Sequence, residues 1–227
     1  MQIVYRFILA DGKEESFAMD FDPETMAYRP EVSGPPPEWT RLENNQCRNC
    51  PLKPADSPHC PVARNLAPVL ERFVDHISFE TAEVVVVTPA REYRKNVSLQ
   101  RGIAAIFGLV MATSGCPVLD KLRPMAFTHL PLAEMGETRY RAIAMYLFAQ
   151  YFRERKGLPA DWKLTGLEKI YADIGVVNRD FMARLGAIDM QDANFNAVAG
   201  LDCFCLGDDT IMTLSLDKLA KIFQSYL

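Results

Sequence analysis

Residues 47 to 61, CRNCPLKPADSPHCP, hold three cysteines and a histidine among four prolines. Cys47 and Cys50 have the CxxC spacing that lets two thiolates face one ion from a tight turn, and Cys60 returns ten residues later with His59 beside it. Zinc in structural sites takes four soft ligands tetrahedrally, so three local thiols leave one ligand to be found. His59 is nearest, yet adjacent residues rarely both reach one ion without contortion, so His59 and Cys60 compete. Cys116 is the stronger expectation: it follows Gly115 in SGCP, just past a helical stretch, where a thiol can be presented. Cys50, Cys60 and Cys116 each precede a proline. That habit also belongs to iron–sulfur ligands, so zinc and an iron–sulfur cluster both fit. A thioredoxin-like redox pair is a third chemistry, although this CxxC follows a proline-rich connector instead of closing a strand and opening a helix. Core packing is the competing account of free cysteines, and a third cysteine in a proline-rich loop with little apolar periodicity weakens it.

A shell of four thiolates fills the coordination sphere and blunts the ion's Lewis acidity, so the expected role is structural and not hydrolytic. Cys203 and Cys205, in LDCFCLG, point in nearly opposite directions on a helix and sit among core types, so core packing is expected for both. His76 falls between apolar positions 73 and 77 and reads as a partly exposed helix histidine.

A second constellation is AREYRKNVSLQRG, which places Arg91, Arg94 and Lys95 in a connection opening a helix capped by Ser98. Converging cations and the amides of a helix start can hold a small anion, whereas a solvated basic turn is the bland alternative. His129, in RPMAFTHLPL with Glu134 and Glu137 following, could serve with those carboxylates as an acid–base group or a metal ligand, and could help to hold the same anion. No nucleophile motif defines a reaction, and a hydrogen-bonded, partly buried histidine is the competing account.

These residues need elements to position them. Ile3, Tyr5, Phe7 and Leu9 alternate, Asp11-Gly12 turns, and Phe17, Met19 and Phe21 resume, which predicts a hairpin over 2–9 and 14–21. Prolines at 23, 30 and 35–37 make 22–45 an extended connector into the cysteine cluster. The apolar spacing of Leu66, Val69, Leu70, Phe73, Val74 and Ile77 predicts a helix over 66–77 with Pro68 in its first turn. The β-branched run 83–88 predicts a central strand beside the hairpin. Helices are expected over 98–113, over 138–155 with apolar residues at 140, 143, 144, 147, 148 and 151, as a pair through 165–185, and over 192–205 and 215–227. The fold class is α+β: a small antiparallel sheet packed with a larger, mostly helical body, in one domain of 1–227 with an α+β part over 1–95 and a helical part over 96–227.

The chain has 227 residues, 49% hydrophobic, enough for a substantial core. A net charge of -4 argues against a nucleic-acid or anionic-membrane surface. The start, MQIVYRFILADGKEE, lacks the pattern of a secretion signal, and the uncharged stretch 102–119 is too short in truly apolar residues to span a bilayer. A cytoplasmic location is expected, where six cysteines do not read as three disulfides.

CRNCPL, HCPVARNL, SGCP, THLPL, ETRYRA and DANFNAV together resemble the landmarks of an uncharacterised bacterial protein family. The resemblance covers most of the chain after the hairpin, brings no established activity, and implies that Cys47, Cys50, Cys60 and Cys116 belong together. The resulting expectation is a metal-binding protein with a structural thiolate site. The alternatives are an enzyme or sensor for a small anionic ligand, held by Arg91, Arg94, Lys95 and His129, and an iron–sulfur redox protein. A protein partner or a small anionic ligand is the class of partner left open.

Overall fold

Alternation in the first strand puts one row of large side chains on one face, and that face builds the core. The computed structural model describes residues 1–31, 34–203, 216 and 219–226. β1 (Gln2–Leu9) buries Ile3, Tyr5, Phe7 and Leu9, and pairs antiparallel with β2 (Glu14–Phe21) across a turn where Gly12 takes φ 84°, a conformation open to glycine at no steric cost. On its other side β1 pairs with β4 (Thr81–Val87), in register Tyr5 to Val86 and Phe7 to Val84. The short β3 (Tyr28–Arg29) and β5 (Glu92–Ser98) complete an antiparallel sheet of order β3-β2-β1-β4-β5. β4 is therefore internal and beside the hairpin, as its β-branched run predicts.

The basic stretch after β4 is not a connection opening a helix. It returns as β5, with Arg94 opposite Val85 and Lys95 opposite Val84, and the helix begins only beyond it. A hairpin back onto β4 satisfies the amides of that strand, which a loop would have left open.

α1 (Pro61–Arg72) starts five residues earlier than its apolar spacing predicts, because Cys60 takes the cap position and Pro61 supplies a preset first turn. Pro68 consequently lies inside the helix, and His76 lies beyond its end, with Nδ1 2.7 Å from Oε2 of Glu80. Phe73, at the end of α1, meets Phe7 with ring centroids 5.0 Å apart. α2 (Leu99–Thr113) lies against the sheet at Gly102, where an added Cβ would stand 2.7 Å from Phe7 Cε1 and 2.8 Å from Val84 Cγ2. Only glycine permits this approach of helix to sheet.

α3 (Met135–Arg155) opens on a capping box of Glu134 and Glu137. It buries Ala142, Ile143, Tyr146 and Gln150, while Tyr140, Phe148 and Tyr151 are exposed. Apolar and charged residues are interleaved around this helix, so its apolar positions divide between the core, as at Ile143 and Leu147, and the surface. α4 (Thr165–Leu185) is one continuous helix, not a pair. α5 (Asp192–Asp202) packs between α2 and α4. Cys203 follows it exposed, against the expectation of core packing, and Cys205 lies outside the described residues, as do 215, 217, 218 and 227 of the expected 215–227 helix, in which Lys221–Tyr226 forms a short 3₁₀ helix. One core cluster runs from Ile3 to Val198, joining the sheet to α1, α2, α4 and α5. Among the described residues no helix is long and apolar enough to cross a membrane.

Candidate functional site

The proline-rich connector folds back on itself before the cysteines can meet. The amide of Leu42 donates to Pro58 O at 2.9 Å and that of Cys60 to Thr40 O at 2.8 Å, so residues 40–42 pair antiparallel with 58–60 and close a loop holding Cys47 and Cys50. The amide of Cys50 donates to Cys47 O at 2.9 Å, the tight turn that CxxC spacing implies. The two residues between the cysteines anchor this turn to α4. Arg48 pairs with Asp180 through its amide at 2.8 Å and its guanidinium at 3.1 Å, and Asn49 Nδ2 donates to Asp173 O at 2.8 Å. Burial would raise the Asp180 carboxyl, but the amide and guanidinium of Arg48 outweigh it and hold the group low.

Near the C-terminal end of α4, the buried Arg184 donates to the carbonyls of Trp39, Arg41, Leu42 and Asn45. An arginine fork with several planar donors suits a run of converging carbonyls. Its Nε has no acceptor among the described residues.

Cys60 caps α1, and Asn65 Nδ2 of that helix reaches Ser114 O at the end of α2 at 3.3 Å. Gly115, at φ 87°, then turns the chain so that Cys116 comes back toward the connector. The outcome is electrostatic contact among four thiols. Burial pushes the Cys47 thiol up to about 12, with Cys60, Cys116, Asp180 and Cys50 adding to it. Burial also raises the Cys116 thiol, where the amides of Leu119 and Val118 pull the other way and Cys60 and Cys50 reinforce the rise. Cys60 and Cys116 are buried, Cys47 and Cys50 half-buried, and all four are free.

Such coupling reaches well past a zinc–sulfur bond of about 2.3 Å. Among the described residues no group of three or more His, Cys, Asp or Glu stands arranged as a ligand set. The thiols are thus neighbours and not yet a coordination shell. A raised thiol pKa is also the reverse of what a redox nucleophile needs.

His59 is turned to another partner. Thr40 Oγ1 donates to Pro37 O at 2.6 Å, so its contact of 2.8 Å with His59 Nδ1 has the ring nitrogen as donor.

The second constellation is dispersed. Arg94 and Lys95 are consecutive on β5 and so face opposite sides of the sheet. Arg94 pairs with Glu83 and Glu92, Lys95 with Glu134 at 3.0 Å, and the Arg91 guanidinium reaches the hydroxyl of Tyr93 at 3.3 Å. Glu134 serves Lys95 and Arg101 together, and Glu137 serves the cap of α3, so neither carboxylate stands by His129 as an acid–base partner.

His129 instead lines a cavity of about 610 Å³ between α2, α3, α4 and α5. Its Nε2 lies 2.6 Å from the hydroxyl of the fully buried Tyr5, and Tyr93 donates to its carbonyl at 3.4 Å. One side of the ring is open to the cavity, but protein atoms surround the rest. Burial, helped by Arg141, lowers its pKa to about 3, so the ring is neutral at physiological pH. Arg141, Arg48, Asn49 and Arg184 were not singled out from sequence. Arg141 lay within the ETRYRA landmark without a distinguishing signal.

A protein-family model, described as a domain of unknown function (DUF6901), matches residues 3–224. No curated protein and no solved structure matches the chain.

Proposed function

We propose that this chain, which belongs to the DUF6901 family, is a metal-binding protein in which Cys47, Cys50, Cys60 and Cys116 gather one zinc ion into a structural site. The observation that carries this reading is the arrival of Cys116, from beyond α2, within electrostatic reach of Cys47, Cys50 and Cys60. Burial and the neighbouring thiols hinder ionisation of Cys47 and Cys116, and a divalent cation would offset that cost. The amides of Val118 and Leu119, directed at the Cys116 sulfur, suit a thiolate ligand. Binding requires the thiols to release protons and close the remaining distance to the ion.

The ion would tie the connector to the end of α2, closing a long stretch of chain whose entropy otherwise opposes order. Four thiolates leave no open position for water, so the role is to hold an interaction or regulatory surface and not to hydrolyse. The proline after Cys50, Cys60 and Cys116 favours one second reading, an iron–sulfur cluster at the same four positions.

Elemental analysis and a visible spectrum of untagged protein, purified without oxygen, test both. About one zinc per chain in a colourless sample is expected; iron with sulfide and a brown spectrum would transfer the site to the second reading. Metal-free protein whose thiols all titrate freely in the native state would overturn it. A chelator should lower the melting temperature and open residues 40–62 to protease, and a hydrolase activity that tracks metal content would refute the structural role.

A further inference from the structure

The cavity that His129 lines lies apart from the thiolate reading and has its own charge pattern. Its volume, about 610 Å³, falls in the range of small-molecule sites, about 300–1,000 Å³. The wall is mainly aliphatic, with Ala104, Ala105, Leu109, Leu122, Met125 and Ile174 among the contributors. Its charged lining, among the described residues, is Arg101 and Arg141, with no carboxylate. The two arginines differ in what they already hold. Arg101 donates to Glu134 at 2.6 Å and to Leu132 O at 3.3 Å. Arg141 donates from Nη2 to Met125 O at 2.7 Å, and its buried Nε has no acceptor among the described residues. Glu137, one turn before it on α3, is engaged with the amide of Glu134.

The Arg141 guanidinium lines an apolar cavity whose described lining holds no carboxylate, and Glu137 tempers its charge only from its own helix, so an acceptor brought into the cavity by an anionic ligand would gain a charge-assisted bond there. The neutral His129 does not compete for that acceptor as a cation, and its ring is held by Tyr5. The geometry points to a binding site for an aliphatic monocarboxylate in this cavity, its carboxylate on Arg141 and its hydrocarbon chain along the walls of α2 and α4. Arginine's planar fork matches a carboxylate, and the second arginine of the lining, Arg101, is already paired with Glu134.

Calorimetric titration of the full chain with dodecanoate, and separately with dodecan-1-ol, tests the assignment. Dodecanoate should bind once per chain and about tenfold or more tighter than the alcohol, the discrimination of a charge-assisted hydrogen bond. Arg141→Met should weaken the acid to the level of the alcohol and leave the alcohol unchanged. Ala105→Phe, which fills the cavity, should weaken both. Absence of saturable dodecanoate binding, equal affinity for acid and alcohol, or full acid binding by Arg141→Met would each overturn the site. If Arg141→Met does not fold, the acid–alcohol comparison on the unaltered chain and the Ala105→Phe variant decide it.

Discussion

Arg184 Nη1 donates to the carbonyl of Arg41 at 2.6 Å, across 143 residues of sequence. This bond is the shortest of four that fasten the connector to α4, and it places a buried cation among backbone acceptors instead of a carboxylate. The cysteine loop hangs from this clamp, since residues 40–42 pair with 58–60 on either side of Cys47 and Cys50.

Arg184→Met should therefore cost at least about 2 kcal/mol of stability, since buried carbonyls lose their donors together. Arg184→Lys should recover little of it, because a single ammonium cannot span carbonyls spread from Trp39 to Asn45. Urea unfolding of the three proteins, with protease cutting between residues 38 and 60, makes the comparison. A Lys variant as stable as the parent would show that charge, and not the fork, holds the connector.

Cys116→Ser should lose metal or hold it far more weakly, while His59→Ala should bind about one equivalent as the parent does. His59 donates from Nδ1 to Thr40, so it could ligate only through Nε2 and in competition with its neighbour Cys60, whereas the Cys116 sulfur has the Cys50 and Cys60 thiols and two amides about it. Metal content after desalting reads the order directly, and the reverse order would make His59 the fourth ligand.

His129 produces a pH dependence of definite sign. Its folded pKa is about 3, against 6.5 for the free side chain, so the unfolded chain takes up the proton first as pH falls. No penalty exists well above pH 6.5; below it, stability declines until the folded ring also protonates. Between about pH 8 and pH 5 the parent should lose about 2 kcal/mol that His129→Gln does not. This is an upper value, because the cavity side of the ring can meet water. Denaturant unfolding at both pH values gives the difference, and parallel losses in the two proteins would remove His129 as its cause.

Gly102→Ala should destabilise by about 1–3 kcal/mol despite alanine's better helix propensity, because the new methyl meets Phe7 and Val84 inside contact distance. Gly108→Ala on the same helix meets only Leu201 Cδ2, at 3.5 Å, and should be neutral or mildly stabilising. Melting temperatures of the pair check this, and equal effects would mean that α2 moves off the sheet at little cost.

Features that rest on neighbouring residues were legible without the fold. Alternation from Ile3 to Leu9 chose the buried face of β1, the CxxC spacing implied its tight turn, and Thr165 and Leu185 mark the two ends of α4. Each depends on a period or a local hydrogen bond that the chain carries within a few residues. The same locality explains the misses. AREYRKNV has weak strand character alone and becomes β5 only because β4 offers an open row of amides and carbonyls. α3 interleaves apolar and charged residues around its axis without one clear apolar stripe, so the face it buries was chosen by its neighbours.

The chemistry divides in the same way. The sequence by itself determined that three thiols sit within one short loop, and that a fourth follows a glycine past α2. Whether that fourth thiol turns toward the loop was decided by α1 lying along α2 with Asn65 on Ser114, a contact between residues 49 apart. The Arg184 clamp and the unmatched Nε of Arg141 are likewise tertiary facts. An arginine in sequence carries the same charge on a surface or in a cavity, and only packing decides which acceptors reach it and which donors are left over.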